Sequence, residues 1–340
     1  MKPALWALLA LGPAMLIVWP RWGLLAWWQR ERKRRERELR EDALKHLLKS
    51  EAEGAVASLL SLAGALRVSD GVAAEIVSEL EREGLAAVES GRLRLRPAGR
   101  EIALHVVRTH RLWESYLAER TGEPEVRWHR LAERAEHRLT PAETAALAAQ
   151  LGHPLFDPHG DWIPASGDGL AAEAGAALEE FSPEQPFQIH HIEDEPETVY
   201  GHLLRLGLRP GMRAYIVSRD DAKIRLWADG AEYALNPGTA RQLSVLSLPG
   251  VTAAALRGER FLHEVPAGGR ARLLGLTGAC RGAERRRLLD LGFVPGSIVE
   301  SALSGPGGDP TAYEVRGSLV ALRREQARYV RVGPLPGGAA

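Results

Sequence analysis

Apolar and polar positions divide the chain into stretches of different character. Residues 3–20, PALWALLALGPAMLIVWP, carry no charge, and a second apolar run, WGLLAWW, follows Arg21. A bilayer core is spanned by about 20 apolar residues, so this pattern predicts a membrane helix over 3–28. RERKRRERELR (30–40) comes next, with seven basic and three acidic residues. The positive-inside rule keeps such a flank in the cytoplasm. The expectation is an anchor at 1–29, a basic juxtamembrane segment at 30–40, and a single-pass inner-membrane protein with its C-terminal domains in the cytoplasm. A cleaved signal peptide would carry its charge ahead of the apolar core, where only Lys2 stands.

Beyond residue 40 the periodicity changes. EDALKHLLKSE is amphipathic, and ASLLSLAGAL (57–66) and DGVAAEIVSELERE (70–83) read as two helices joined by a short turn. GLAAVESGRLRLRP holds two alternating runs around Ser90–Gly91, a hairpin signal. Pro97 then opens a long helix, PAGREIALHVVRTHRLWESYLAER. Helix, helix, hairpin, helix is the order of a winged helix-turn-helix, expected over 41–100, with a helical domain over 101–165. A further helix runs from about Val126 to Arg138, and Thr140-Pro-Ala-Glu143 looks like a capping box for the next. Residues 152–186 are rich in Gly, Pro, Asp and His and contain one helical candidate, GLAAEAGAALEEF. They read as a linker, bounded at 166–185.

The remainder repeats itself. YGHLLRLGLRPGMRAYIVSR (200–219) matches RRRLLDLGFVPGSIVESALS (285–304), with a shared kernel LLxLGxxPG at 203–211 and 288–296. Short strands with Gly/Pro turns argue for small β-barrels, here at 186–249 and 270–335. The fold class expected is multi-domain α+β: a mainly α N-terminal winged helix-turn-helix and helical domain, then two small SH3-like barrels.

Composition narrows the chemistry. A length of 340 residues suggests two or three domains. Lys plus Arg equals Asp plus Glu at 44 each, so no global charge points to nucleic acid or membrane. Cys280 is the one cysteine, which excludes a disulfide framework and sulfur-rich metal sites. Five of the nine tryptophans fall in the first 28 residues, where an aromatic belt would place them. A metal site would have to use imidazole and carboxylate. RTHRLWE puts His110 and Glu114 one helical turn apart. WHRLAERAEH puts His129, Glu133, Glu136 and His137 on one stripe. Such donors suit divalent transition metals, oxygen-rich sets leaning to Mn(II) and Fe(II), and Asp42 or Glu41 could close the shell. Spacing alone leaves a solvated charged face equally open, with Arg111, Arg130 and Arg134 as partners.

Over about 40–165 the sequence resembles the DtxR/MntR family of metal-dependent transcriptional regulators. The resemblance rests on EDALKHLL, the helix-turn-helix and wing, HRLWE, the H-x3-E-x2-EH stripe and DPHGDWIP (157–164). It implies that His110, Glu114 and His129 are metal ligands, that Glu133, Glu136 and His137 form a second set, and that Asp42 supplies a first-helix carboxylate. Glu133 occupies the position where iron-type members carry cysteine. Lys45 departs from the pattern, standing where manganese-type members place a second first-helix carboxylate. The C-terminal repeats resemble the FeoA domain of ferrous-iron transport systems, the second copy more closely. The family also implies a homodimer that binds DNA.

The surface expected to meet DNA is mixed. Residues 69–83 contain Asp70, Glu75, Glu79, Glu81 and Glu83 against Arg82, whereas the wing offers Arg92, Arg94, Arg96 and Arg100, and Ser69 begins the recognition helix. Lys and Arg are the main source of charge for phosphate contacts. Two functions follow as expectations. One is a membrane-tethered Mn(II)- or Fe(II)-dependent regulator of metal homeostasis. The other is a membrane-anchored FeoA-type accessory or sensor of a ferrous-iron permease, with little or no DNA binding. An enzyme is not expected: there is no phosphate loop, nucleophile elbow or HExxH, and Cys280 sits in GACRG with no evident partner.

Overall fold

The computed structural model describes residues 24–165 and 175–335. Most of the expected span at 3–28, residues 3 to 23, lies outside them. Its described remainder, residues 24–28, begins α1 (Leu24–Ala52), which runs directly into the charged stretch. Arg32 and Glu36 pair there at 2.8 Å, as do Glu31 and Arg34. Among the described residues no helix is long and apolar enough to cross a membrane. The single-pass inner-membrane localisation is corrected accordingly, since the described end of the expected span is the start of a charged helix; nothing in the described residues supports the membrane or a ferrous-iron permease as a partner.

The described chain forms two compact units. In the first, α1 is followed by α2 (Leu59–Leu66) and α3 (Asp70–Arg82), then by the hairpin β1 (Ala86–Glu89) and β2 (Arg92–Leu95), and by the start of α4 (Pro97–Arg120). Ser58 caps α2 reciprocally with Ser61, and the Ser69 hydroxyl accepts from Val72 N–H to start α3. Leu44, Leu47, Leu48, Leu62, Ile76 and Leu80 bury one face of each helix against the hairpin. Gly99 is required at the start of α4: a Cβ there would lie 2.0 Å from the Leu85 carbonyl oxygen.

The second unit holds the rest of α4, most of α5 (Trp128–Glu136), α6 (Pro141–Gln150) and two antiparallel sheets. The first sheet comprises β3 (Ala176–Ala177), β4 (Pro186–Ile192), β5 (Arg213–Arg219), β6 (Ile224–Ala228), β7 (Ala231–Leu235) and β8 (Leu243–Ser247), with α7 (Glu197–Leu206) and α8 (Pro237–Ala240) between strands. After α9 (Ala253–Arg257) the second comprises β9 (Arg260–Phe261), β10 (Arg270–Leu276), β11 (Ile298–Ser304), β12 (Thr311–Val315), β13 (Ser318–Leu322) and β14 (Val330–Gly333), with α10 (Gly282–Asp290) and α11 (Arg324–Ala327). Strand order is β3-β8-β4-β5-β6-β7 in one and β9-β14-β10-β11-β12-β13 in the other. The orders are equivalent, so the sequence repeat is a structural repeat. Its kernel recurs atom for role: Leu203 and Leu288 are fully buried, and Gly207, Gly292, Gly211 and Gly296 all have φ near +90°, a conformation glycine adopts without steric cost. The architecture is α+β, helical at the N-terminus with two small SH3-like sheets after it.

One local expectation fails. The described part of GLAAEAGAALEEF is no α-helix: Ala176–Ala177 pair with β8, and Leu178–Glu180 make a single 3₁₀ turn. Leu178 and Phe181 are buried in the first sheet's core, a tertiary demand that overrides the helix propensity of Ala and Glu.

Candidate metal centre

α4 carries His110 and Glu114 one turn apart, and both point into the second unit, 7% and 1% exposed. His110 Nε2 lies 3.2 Å from Glu114 Oε1. α5 brings His129, whose Nδ1 is 3.6 Å from the same oxygen and whose ring centroid is 4.8 Å from that of His110. Two further groups come from loops. Asp194, just after β4, places Oδ2 2.6 Å from His129 Nδ1. His159 places Nδ1 3.3 Å from Glu114 Oε2 and 3.7 Å from Asp194 Oδ2.

The loop holding His159 is built for that purpose. Asp157 Oδ1 accepts the backbone N–H groups of His159, Gly160 and Asp161 at 2.8–3.0 Å. Gly160 has φ +101°, and a Cβ on it would lie 2.0 Å from the His190 carbonyl oxygen. Burial pushes the Asp157 carboxyl up to about 7, and the neighbouring charges of Asp161 and Glu114 add to this.

Electrostatics show what the group wants. Burial alone would raise the Glu114 pKa, but His110 and His159 hold it well below the usual carboxylate range. Burial would likewise raise Asp194, yet the hydrogen bond from His129 brings it down to about 2. Burial would lower His129, but Asp194, Glu114 and Glu133 outweigh it and push it up to about 12. His159 is pushed up to about 10 against its burial, chiefly by Glu114. Positive charge at this spot is thus strongly favoured, and protonated imidazole supplies it.

A divalent cation fits the donor set. One donor atom each from His110, Glu114, His129 and Asp194 lie within 4.8 Å of one another. Nitrogen and oxygen donors stand about 2.0–2.2 Å from such an ion, so modest closure encloses it. His129 Nδ1 and both His159 ring nitrogens are buried without a hydrogen bond of good geometry, despite nearby carboxylates. Buried polar atoms in that state need an explanation, and a cation in place of the imidazole proton between His129 Nδ1 and Asp194 would provide one for His129.

Asp42, Glu136 and His137 form a second group, in the first unit. A lysine stands within it as arranged. Lys45 Nζ lies 3.0 and 2.9 Å from the two oxygens of the buried Glu136 carboxylate. His137 is engaged on both nitrogens, by Glu41 Oε2 at 2.6 Å and Asp42 Oδ1 at 3.2 Å. An ammonium group already provides the cation here.

Of the residues singled out in the sequence, His110, Glu114 and His129 come together, and Asp42, Glu136 and His137 come together elsewhere. Glu133 approaches the first group, its Oε1 3.6 Å from His129 Nε2, with a half-exposed side chain. Asp194 and His159 were not picked out as ligands. Their only sequence signal is local: an acidic run, EDE, after a strand, and DPHGD between turns. In the wing, Arg92, Arg94 and Arg96 are exposed, Arg94 being 3.6 Å from Glu89. Arg100 is half-buried and paired with Glu51, and the Ser69 hydroxyl caps α3. The Cys280 thiol is buried in the second sheet's core, and burial pushes its pKa up to about 11.

Comparison with known proteins agrees with this picture. Residues 96–165 match the family model described as iron dependent repressor, metal binding and dimerisation domain, and 261–334 match the FeoA domain. The diphtheria toxin repressor of Corynebacterium diphtheriae is 29% identical over 188 residues, 52% of this chain and 83% of that protein. The iron-dependent repressor IdeR of Mycobacterium leprae is 35% identical over 129 residues, 37% of this chain, which spans 56% of that relative's length. Among solved structures, a manganese-dependent transcriptional repressor in complex with manganese superposes with a TM-score of 0.56 at 28% identity, covering 61% of this chain and 99% of the other. The chain is thus similar to the DtxR/IdeR metal-dependent repressors, carrying a stretch that matches their metal-binding and dimerisation domain and, behind it, one that matches the FeoA domain.

Proposed function

We propose that this chain is a metal-dependent transcriptional regulator of the DtxR type. It would bind one Mn(II) or Fe(II) per chain through His110, Glu114, His129 and Asp194, with His159 beside them and Glu133 at the rim. The observation that carries the reading is the convergence of these nitrogen and oxygen donors around a buried carboxylate. Carboxylate donors without sulfur suit hard ions such as Mn(II) and, with imidazole, Fe(II). Asp42, Glu136 and His137 act in this reading as a structural ion-pair group around Lys45. The metal supplies a double positive charge to Glu114 and Asp194. The protein's part is to orient the imidazoles and exclude water from Glu114.

The active species would be a homodimer on DNA, with Arg92, Arg94 and Arg96 on phosphates. The exposed face of α3 carries Glu75, Ser78, Val72 and Gly71, so base readout is narrow and backbone contact dominates. The test is DNA binding by the full chain to fragments upstream of metal-transport genes, with and without Mn(II) at low salt. A metal-dependent shift that His110→Ala and His129→Ala abolish is expected. Equal binding with and without metal, or none in either state, would overturn the reading.

A further inference from the structure

The GACRG motif (278–282) precedes α10 in the second sheet domain and has no part in the ligand set. Arg281 nevertheless reaches the metal centre's supports. Its Nη1 donates to Glu125 Oε1 at 3.2 Å and its Nη2 to the Pro158 carbonyl at 3.2 Å. Its guanidinium carbon stands 5.7 Å from the centroid of the Trp128 ring. Trp128 immediately precedes His129, and Pro158 immediately precedes His159. One side chain thus bridges the two segments that deliver those imidazoles.

Glu125 ties the first sheet domain into the same knot. Arg209 Nε is 3.3 Å from its Oε2, and the Tyr200 hydroxyl donates to its Oε1 at 3.3 Å. The Tyr200 ring in turn stands edge-on to His159, centroids 5.2 Å apart. The motif's glycines permit the approach. A Cβ on Gly278 would lie 2.1 Å from the Pro210 carbonyl oxygen, and one on Gly282, at φ +58°, 3.1 Å from that of Glu119. Arg286 adds an ion pair to Glu119 at 2.9 Å. All these residues belong to the second unit.

We infer that the 278–282 loop of the C-terminal FeoA domain is a wall of the metal centre, that Arg281 is a positioning residue for His129 and His159, and that docking of this domain and metal binding strengthen one another. The inference rests on the metal reading above. Coupling between two binding events is reciprocal by necessity, so each side can be measured.

The experiment uses the full chain and Mn(II), with two readouts. By calorimetry, Arg281→Ala should weaken Mn(II) binding about tenfold, within the usual range for coupled sites, and Arg281→Lys should not restore it. A lysine keeps the charge toward Glu125, but its single ammonium cannot match the planar fork that also reaches Pro158 and stacks on Trp128. By hydrogen exchange, Mn(II) should slow amides of 278–282 in the wild-type chain and leave them unchanged in His129→Ala. The exchange readout needs no Arg281 variant and stands if that variant fails to fold. Mn(II) binding with affinity in Arg281→Ala within about twofold of wild type, or exchange at 278–282 indifferent to metal, overturns the inference alone. No Mn(II) binding by the wild-type chain overturns the metal reading and this inference with it.

Discussion

Glu114 is 1% exposed and has imidazoles against both carboxylate oxygens. A buried carboxylate persists as an anion only with such compensation, so its ligand role and its structural cost have one origin. Glu114→Gln should lower Mn(II) affinity by about 100-fold or more, since loss even of supporting partners costs 10–100-fold; titration calorimetry reads this. Proton linkage follows from the same contacts. His129 and His159 are pushed up to about 12 and about 10, so both hold a proton at neutral pH without metal. A metal ligand must be deprotonated. Binding therefore releases protons, and affinity should rise with pH across the neutral range. Calorimetry in buffers of different ionisation enthalpy measures the release; affinity that falls with rising pH would contradict it. At the second group, Lys45→Glu removes the ammonium and adds a donor beside Glu136. The bound metal should rise from one to two per chain by elemental analysis.

At the scale of elements, periodicity exposed much of this and loops concealed the rest. His110 and Glu114 were legible because i and i+4 share a helix face, and His129 because it opens a second such stripe. Asp194 and His159 sit on segments without a period, and no spacing rule joins residues 114, 129, 159 and 194. The 157–161 loop does that work, and it demands glycine. Gly160→Ala should destabilise the second unit by about 2 kcal/mol or more, combining a strained left-handed residue with a collision against His190 O. Chemical denaturation gives the value, and a loss below 0.5 kcal/mol, the usual span of neutral surface changes, would argue against so tight a loop. The failed helix at 175–181 has the same origin: Leu178 and Phe181 find more burial in a neighbouring sheet than a helix could offer.

For the whole molecule, balanced charge totals conceal an uneven distribution. α3 is acidic on its exposed face, and the wing is basic. If Arg92, Arg94 and Arg96 contact phosphates, DNA affinity falls with salt by about 0.9 log unit per contact per log unit of salt. Replacing all three by Ala should flatten the dependence by roughly 2.7 per chain on the same rule; an unchanged slope in a fluorescence-anisotropy titration would remove the wing from the interface.

By itself the sequence determined the α+β class, the helix stripes, the internal repeat with its left-handed glycines, and an oxygen- and nitrogen-only choice of metal donors. These are local properties: side-chain period, backbone freedom of glycine, and the single cysteine. Tertiary structure decided what distance along the chain hides. It brought Asp194 and His159 to Glu114, set Lys45 against Glu136, moved Ala176–Ala177 into a sheet and Leu178 and Phe181 into its core, and laid Arg281 across Trp128 and Pro158. Each of those outcomes depends on which buried charge meets which partner, a matter fixed only when separate segments pack together.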